Sequence, residues 1–86
     1  MINKKIISIL SKVLNIEREF IQIEHHLIND LNIDSFELVE IAYEIKLEYK
    51  IGDLRIEEII SLETVLDIIK LVKRKIKGLN FKFNYY

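Results

Sequence analysis

An all-α, four-helix domain is predicted by three features of this 86-residue chain. It has no Pro and only two glycines, Gly52 and Gly78, too few turn-formers for a barrel or sandwich of short strands. Apolar residues recur at helical spacing. Residues that start and stop helices bracket the segments in the order long helix, long loop, helix, short helix, helix. The length fits one small domain with a modest core.

Ile6, Ile7, Ile9, Leu10, Val13 and Leu14 make the stripe of the first helix. Asn3 is its expected cap, and Asn15 its expected left-handed stop. Residues 16–34 hold no sustained stripe and read as a long loop. Phe20, Ile23, Leu27 and Leu31 are spaced to pin that loop onto the core. Loops this long are uncommon and tend to be functional. The second helix is expected to begin at Ser35, run to about Tyr49 and break at Gly52. A short helical turn over 55–60 follows. Thr64 and Asp67 have the spacing of a capping box with Asp in place of Glu, which starts a last helix over 64–77. Its bases gather at the C-terminal end, where the macrodipole favours cations, and Gly78 is the expected stop. The domain is therefore 1–78, with an extension over 79–86.

Composition removes several function classes. There is no cysteine, so disulfides and thiolate metal sites are excluded. The N-terminus begins like a signal peptide but lacks the unbroken apolar core and small-residue cleavage site. No apolar run approaches the length of a membrane span. A cytoplasmic protein is expected, and a monomer. The net charge of −1 hides an asymmetry. Residues 1–16 carry three lysines and no acid, and residues 17–49 carry nine acids against Arg18 and Lys46. Residues 68–86 carry six bases and no acid. The middle attracts a basic partner and the end an acidic one. His25 and His26 are adjacent and point apart on regular structure, so no metal site is expected. Glu57 and Glu58 read as a solvated helix face. No Ser-His-Asp arrangement is supported. The tail, with Phe81, Phe83, Tyr85 and Tyr86 among bases, reads as a helix end with an extension, or as contact with a membrane surface, nucleic acid or a partner. Alternation over 79–85 also allows a short extended strap.

The second helix concentrates the information. At about 100° per residue, Glu37, Glu40, Glu44 and Glu48 fall on one acidic stripe. Leu38, Ala42, Ile45 and Tyr49 form the core face. Phe36, Tyr43 and Leu47 lie on the other flank of the stripe, a candidate exposed apolar patch of the kind that marks binding surfaces. Ser35 stands at the helix head. As an N-cap it would stabilise the helix by about 1 kcal/mol. A phosphate on its oxygen would also be well placed, because free backbone N–H groups and the positive end of the dipole face it.

Residues 27–49, LINDLNIDSFELVEIAYEIKLEY, resemble the signature region of acyl carrier proteins, approximately F-x-x-D-L-G-x-D-S-L-x-x-V-E-L-x-x-x-L-E-x-x-F. Asp30, Leu31, Asp34, Ser35, Val39, Glu40 and Ile45 match in register without a gap. Tyr49 stands where the family has Phe, and Leu27, Phe36 and Ile41 replace other apolar residues. Helix order, first-loop length and total length also fit, over roughly residues 3–77. The resemblance implies an acyl-carrier-like four-helix bundle that is not itself an enzyme. It implies that Ser35 receives 4′-phosphopantetheine from coenzyme A through a separate phosphopantetheinyl transferase. Asp34 would help position Ser35. Acyl groups would ride as thioesters on the thiol of the arm, which supplies the sulfur the chain lacks. Phe36, Glu37, Val39, Glu40, Tyr43, Glu44 and Leu47 would face acyl-loading and acyl-processing enzymes that carry basic patches. Such acids speed encounter more than they add affinity.

The chain departs from the family at several points. Asn32 replaces a glycine, which the left-handed region tolerates. Phe36 is larger than the usual Leu. Lys46 and Leu47 stand where acids are frequent in fatty-acid carriers, and a net charge of −1 is low in magnitude for such a carrier. These changes favour a dedicated polyketide, peptide or cell-envelope carrier over a fatty-acid one. Two other classes compete: an unmodified interaction module of the same fold, and a nucleic-acid-binding domain. The intact Asp34-Ser35 pair opposes the first. The acidic helix opposes the second, because phosphate contact dominates such binding.

Overall fold

A computed structural model describes the backbone of residues 2–85 and the side chains of residues 2–78. Four α-helices, α1 (Ile2–Leu14), α2 (Ser35–Tyr49), α3 (Ile56–Ile60) and α4 (Val65–Tyr85), follow the expected order. A 3-10 turn, Arg18–Phe20, interrupts the loop between α1 and α2. Among the described residues the one β-type pairing is an isolated bridge between His26 and Thr64.

α1 packs on α2 and α4, and α2 packs on α3. Ile6 and Leu10 of α1 meet Leu38, Ile41, Ala42 and Ile45 of α2 and Val65, Ile68, Ile69, Leu71 and Val72 of α4 in one cluster. Ile51, Leu54 and Ile59 close it from the α3 side. Among the described residues the buried set is aliphatic throughout, mostly isoleucine, with no aromatic ring and no buried charge. Tyr49 borders this core. Its hydroxyl is enclosed without a hydrogen-bond partner among the described residues, and burial pushes its ionisation upward.

Several boundaries differ from expectation for physical reasons. Asn3 lies inside α1 rather than capping it. Asn15 does take the left-handed conformation, with φ 57°. α2 stops at Lys50, itself left-handed with φ 55°, whose N–H donates to the Lys46 carbonyl; Gly52 comes too late to act as the stop. α4 continues through Gly78 to Tyr85, so 79–85 is helical rather than extended. One glycine costs a helix interior only about 1 kcal/mol relative to Ala, and good helix formers flank it here. The side chains of Phe81, Phe83, Tyr85 and Tyr86 lie outside the described residues.

The long loop is anchored differently from its apolar spacing. Leu27 is buried and Ile23 and Leu31 are partly so, but Phe20 is 70% exposed. Ile21 and Ile33 are buried instead. A helical interval does not transfer to a segment that turns at Arg18–Phe20 and again over 27–31.

Candidate functional site

The loop that delivers the chain to α2 is built from backbone bonds. Leu27 N–H donates to the Glu63 carbonyl at 2.8 Å, and Val65 N–H donates to the His25 carbonyl at 3.1 Å. Leu66 N–H reaches the Ile23 carbonyl at 2.9 Å. The loop is thereby fastened to the start of α4. His26 Nδ1 accepts from the N–H groups of Ile28 at 3.2 Å and Asn29 at 3.1 Å. The Asp30 carboxylate accepts from His26 N–H at 2.7 Å. These contacts wind residues 27–32 into a compact turn, and Asn32 exits it at φ 54°. Ile33 then drops into the core, which fixes where Asp34 and Ser35 emerge.

Asp34, not Ser35, caps α2. Its carboxylate accepts from Glu37 N–H at 2.8 Å, and the Glu37 carboxylate accepts from Asp34 N–H at 3.0 Å. This reciprocal capping box corrects the expectation that Ser35 is the cap. The signal was legible, because Asp34 and Glu37 have the required spacing. Ser35 is the first residue with helical geometry, and it is exposed. Among the described residues nothing hydrogen-bonds to its Oγ. The hydroxyl therefore stands free over the first turn, where the N–H groups of Ser35 and Phe36 have no intrahelical acceptor.

The outward face of α2 carries the rest. Phe36, Val39, Tyr43 and Leu47 are 82%, 54%, 61% and 57% exposed, in one apolar stripe. Leu38, Ala42 and Ile45 face inward as expected, joined by Ile41. The acidic stripe does not stand as one free surface. Glu37 is half-buried in the capping box. Glu44 accepts from Lys12 Nζ and Glu48 from Lys5 Nζ, each at 2.7 Å. These contacts push both lysines' ionisation upward. Glu40 remains exposed, without a salt bridge among the described residues. The α1–α2 ion pairs were missed in the sequence because their partners are more than 30 residues apart.

A sequence profile described as a phosphopantetheine attachment site matches residues 4–72. That span contains the whole core described above. The chain belongs to the acyl carrier protein family. It is 34% identical over 74 residues to proteins named acyl carrier protein from Rickettsia massiliae and Rickettsia typhi, covering 86% of this chain and 85% of each relative. It is also 34% identical over 65 residues to the acyl carrier protein of Coprothermobacter proteolyticus, covering 73% of this chain and 79% of that one. Membership brings a covalently attached 4′-phosphopantetheine and the role of a carrier rather than a catalyst.

The residues at the head of α2 fit such a group. An exposed hydroxyl is needed, and Ser35 supplies one. A phosphodiester there gains from the unpaired N–H groups and the dipole of the first turn. Asp34 and Glu37 hold that turn together without using the hydroxyl. No described group of three or more His, Asp or Glu could hold a metal ion, so His25 and His26 form no such cluster. Their Nδ1 atoms accept backbone N–H bonds instead. No helix among the described residues is long and apolar enough to cross a membrane.

Proposed function

We propose that Ser35 is the attachment point of the pantetheine arm, and that the carrier serves a dedicated polyketide, peptide or cell-envelope pathway rather than bulk fatty-acid synthesis. The observation that carries the first part is the division of labour at the head of α2. Asp34 caps the helix, so Ser35 is exposed and its Oγ makes no hydrogen bond among the described residues. A transferase brings the base and metal ion. Ser35 Oγ attacks the phosphorus joined to pantetheine in coenzyme A. The new P–O bond makes a phosphodiester as the pyrophosphate bond breaks, the nucleotide half leaves, and the serine proton passes to the base. Once attached, the arm's thiol holds acyl groups as thioesters. The chain's own work is to fix the anchor, keep the first turn intact and present α2 to one enzyme after another.

Phe36, Val39, Tyr43, Leu47 and Glu40 form the docking face, with Glu37 and Glu44 at its margin. Support for a dedicated pathway comes from the same helix. Lys46 and Leu47 interrupt the acidic side, and the net charge is only −1. The relatives' shared name is silent on pathway.

Intact mass after incubation with a broad-specificity phosphopantetheinyl transferase, Mg²⁺ and coenzyme A tests the anchor. One phosphopantetheine unit is expected on the wild-type chain and none on Ser35→Ala. Equal gain by the variant would move the anchor elsewhere.

A further inference from the structure

Charge on the docking face is set from outside it. Lys5 and Lys12 project from α1 onto Glu48 and Glu44, each pair at 2.7 Å. The lysine side chains stay 55% and 71% exposed, so these are surface pairs. Their effect on stability is small. Their effect on the field is larger in consequence, because a partner several ångströms away is steered by summed charge. Each closed pair adds nothing to that sum. Glu37 keeps its charge but is half-buried in the capping box, which leaves Glu40 as the exposed acid of this face with neither a salt bridge nor a cap contact among the described residues.

The apolar stripe beside Glu40 spans about 16 Å from Phe36 to Leu47 at the helical rise. Its far edge carries two bases and one acid. Lys46, Arg55 and Glu57 line a shallow groove there with Val39, Tyr43, Leu54 and Ile56. Across the helix the order is acid, apolar stripe, then an edge with a net positive charge.

We infer that Lys5 and Lys12 determine partner selectivity: by neutralising Glu48 and Glu44 they admit an enzyme that offers an apolar groove with one cation opposite Glu40 and an anion opposite Lys46 and Arg55, and they disfavour an enzyme that relies on a row of cations. The inference rests on the reading that α2 is the docking helix. It adds two residues that lie on another helix and make no contact with Ser35 among the described hydrogen bonds.

The test uses the full chain, with a broad-specificity phosphopantetheinyl transferase, Mg²⁺ and coenzyme A as the probe. A transferase with a basic docking surface is chosen. Its kcat/KM is followed from low to high salt. Wild type should show a shallow salt dependence. Lys5→Gln with Lys12→Gln uncovers two charges, each worth about twofold at ~10 Å in water, so kcat/KM should rise about fourfold at low salt and fall steeply with added salt. Adding Glu44→Gln and Glu48→Gln to that variant should cancel the gain. Lys5→Arg with Lys12→Arg should behave as wild type, and circular dichroism should show every variant folded. A steep salt dependence in wild type, or no gain in the lysine double variant, overturns the inference while leaving the carrier reading intact. Failure of every folded chain to gain mass, with the enzyme active on a control carrier, overturns both.

Discussion

Removing the Asp34 carboxylate should cost the fold more than removing the Ser35 hydroxyl, although Ser35 is the residue proposed above as the anchor. Asp34→Ala breaks the 2.8 Å bond from Glu37 N–H and leaves the Glu37 carboxylate with half a box. Loss of such a cap costs about 1 kcal/mol, within a range of roughly 0.5–2. Asp34 is exposed, so water can reach the freed N–H, which places the cost near the middle of that range rather than at its top. For a domain of this size, 1 kcal/mol lowers the melting temperature by about 4–8 °C. Ser35→Ala removes an exposed hydroxyl that no described group bonds, and it places a good helix former in the first turn. Its effect should stay within about 0.5 kcal/mol, or roughly 3 °C. Glu37→Ala removes the other half of the box. The Asp34 and Glu37 losses should be less than additive, because the two side chains act on one turn. Thermal unfolding followed by far-ultraviolet circular dichroism reads wild type, the three single variants and the Asp34→Ala, Glu37→Ala double variant. A Ser35→Ala loss equal to that of Asp34→Ala would refute the assignment of the cap.

Three further outcomes follow from contacts elsewhere. The backbone N–H groups of Thr64 and Glu63 hold the Asp67 carboxyl below the usual carboxylate range. Its contribution is thus present above about pH 4 and lost as pH falls through the lowered folded value. Asp67→Asn should flatten the acid limb of a stability–pH curve, and an unchanged limb would exclude this role. Lys75 ties the α3 side to α4, reaching Glu58 at 2.9 Å and Asp53 at 3.6 Å. Lys75→Met keeps the apolar stem and should raise amide hydrogen exchange in α3 several-fold without speeding α1; uniform exchange would contradict a local tether. His26→Leu removes the acceptor for two loop N–H groups and should cost about 1 kcal/mol in urea unfolding, while His26→Asn, which can accept the same bonds, should recover most of it. Equal losses in the two variants would show that Nδ1 is not what holds the turn.

The helix order and the extent of α2 were legible because periodicity and length carry them. Stops were less so. Gly52 and Gly78 attract the eye as breakers, yet α2 ends at left-handed Lys50 and α4 continues past Gly78. What decides a stop is which residue can adopt φ > 0 where packing demands the turn, and Asn15, Asn32 and Lys50 do so here. Ser35 stands at the head of α2 as its sequence context predicts, but the cap lies one residue earlier, at Asp34. The Asp34–Glu37 spacing held the correction. The inward face of α2 was readable from period alone. The state of its acids was not, since Glu44 and Glu48 meet lysines from a helix on the other side of the long loop.

The buried set described above is almost wholly β-branched or leucine, with nine isoleucines and two valines among its members and no ring or thioether. A β-branched side chain has few χ1 states, so such a core cannot make room by swinging its side chains aside. Any space that opens inside it for an acyl chain must come from whole helices moving apart, with the aliphatic surfaces kept intact as walls. If an acyl chain enters this core, hinge motion between α2, α3 and α4 would admit it more readily than local repacking.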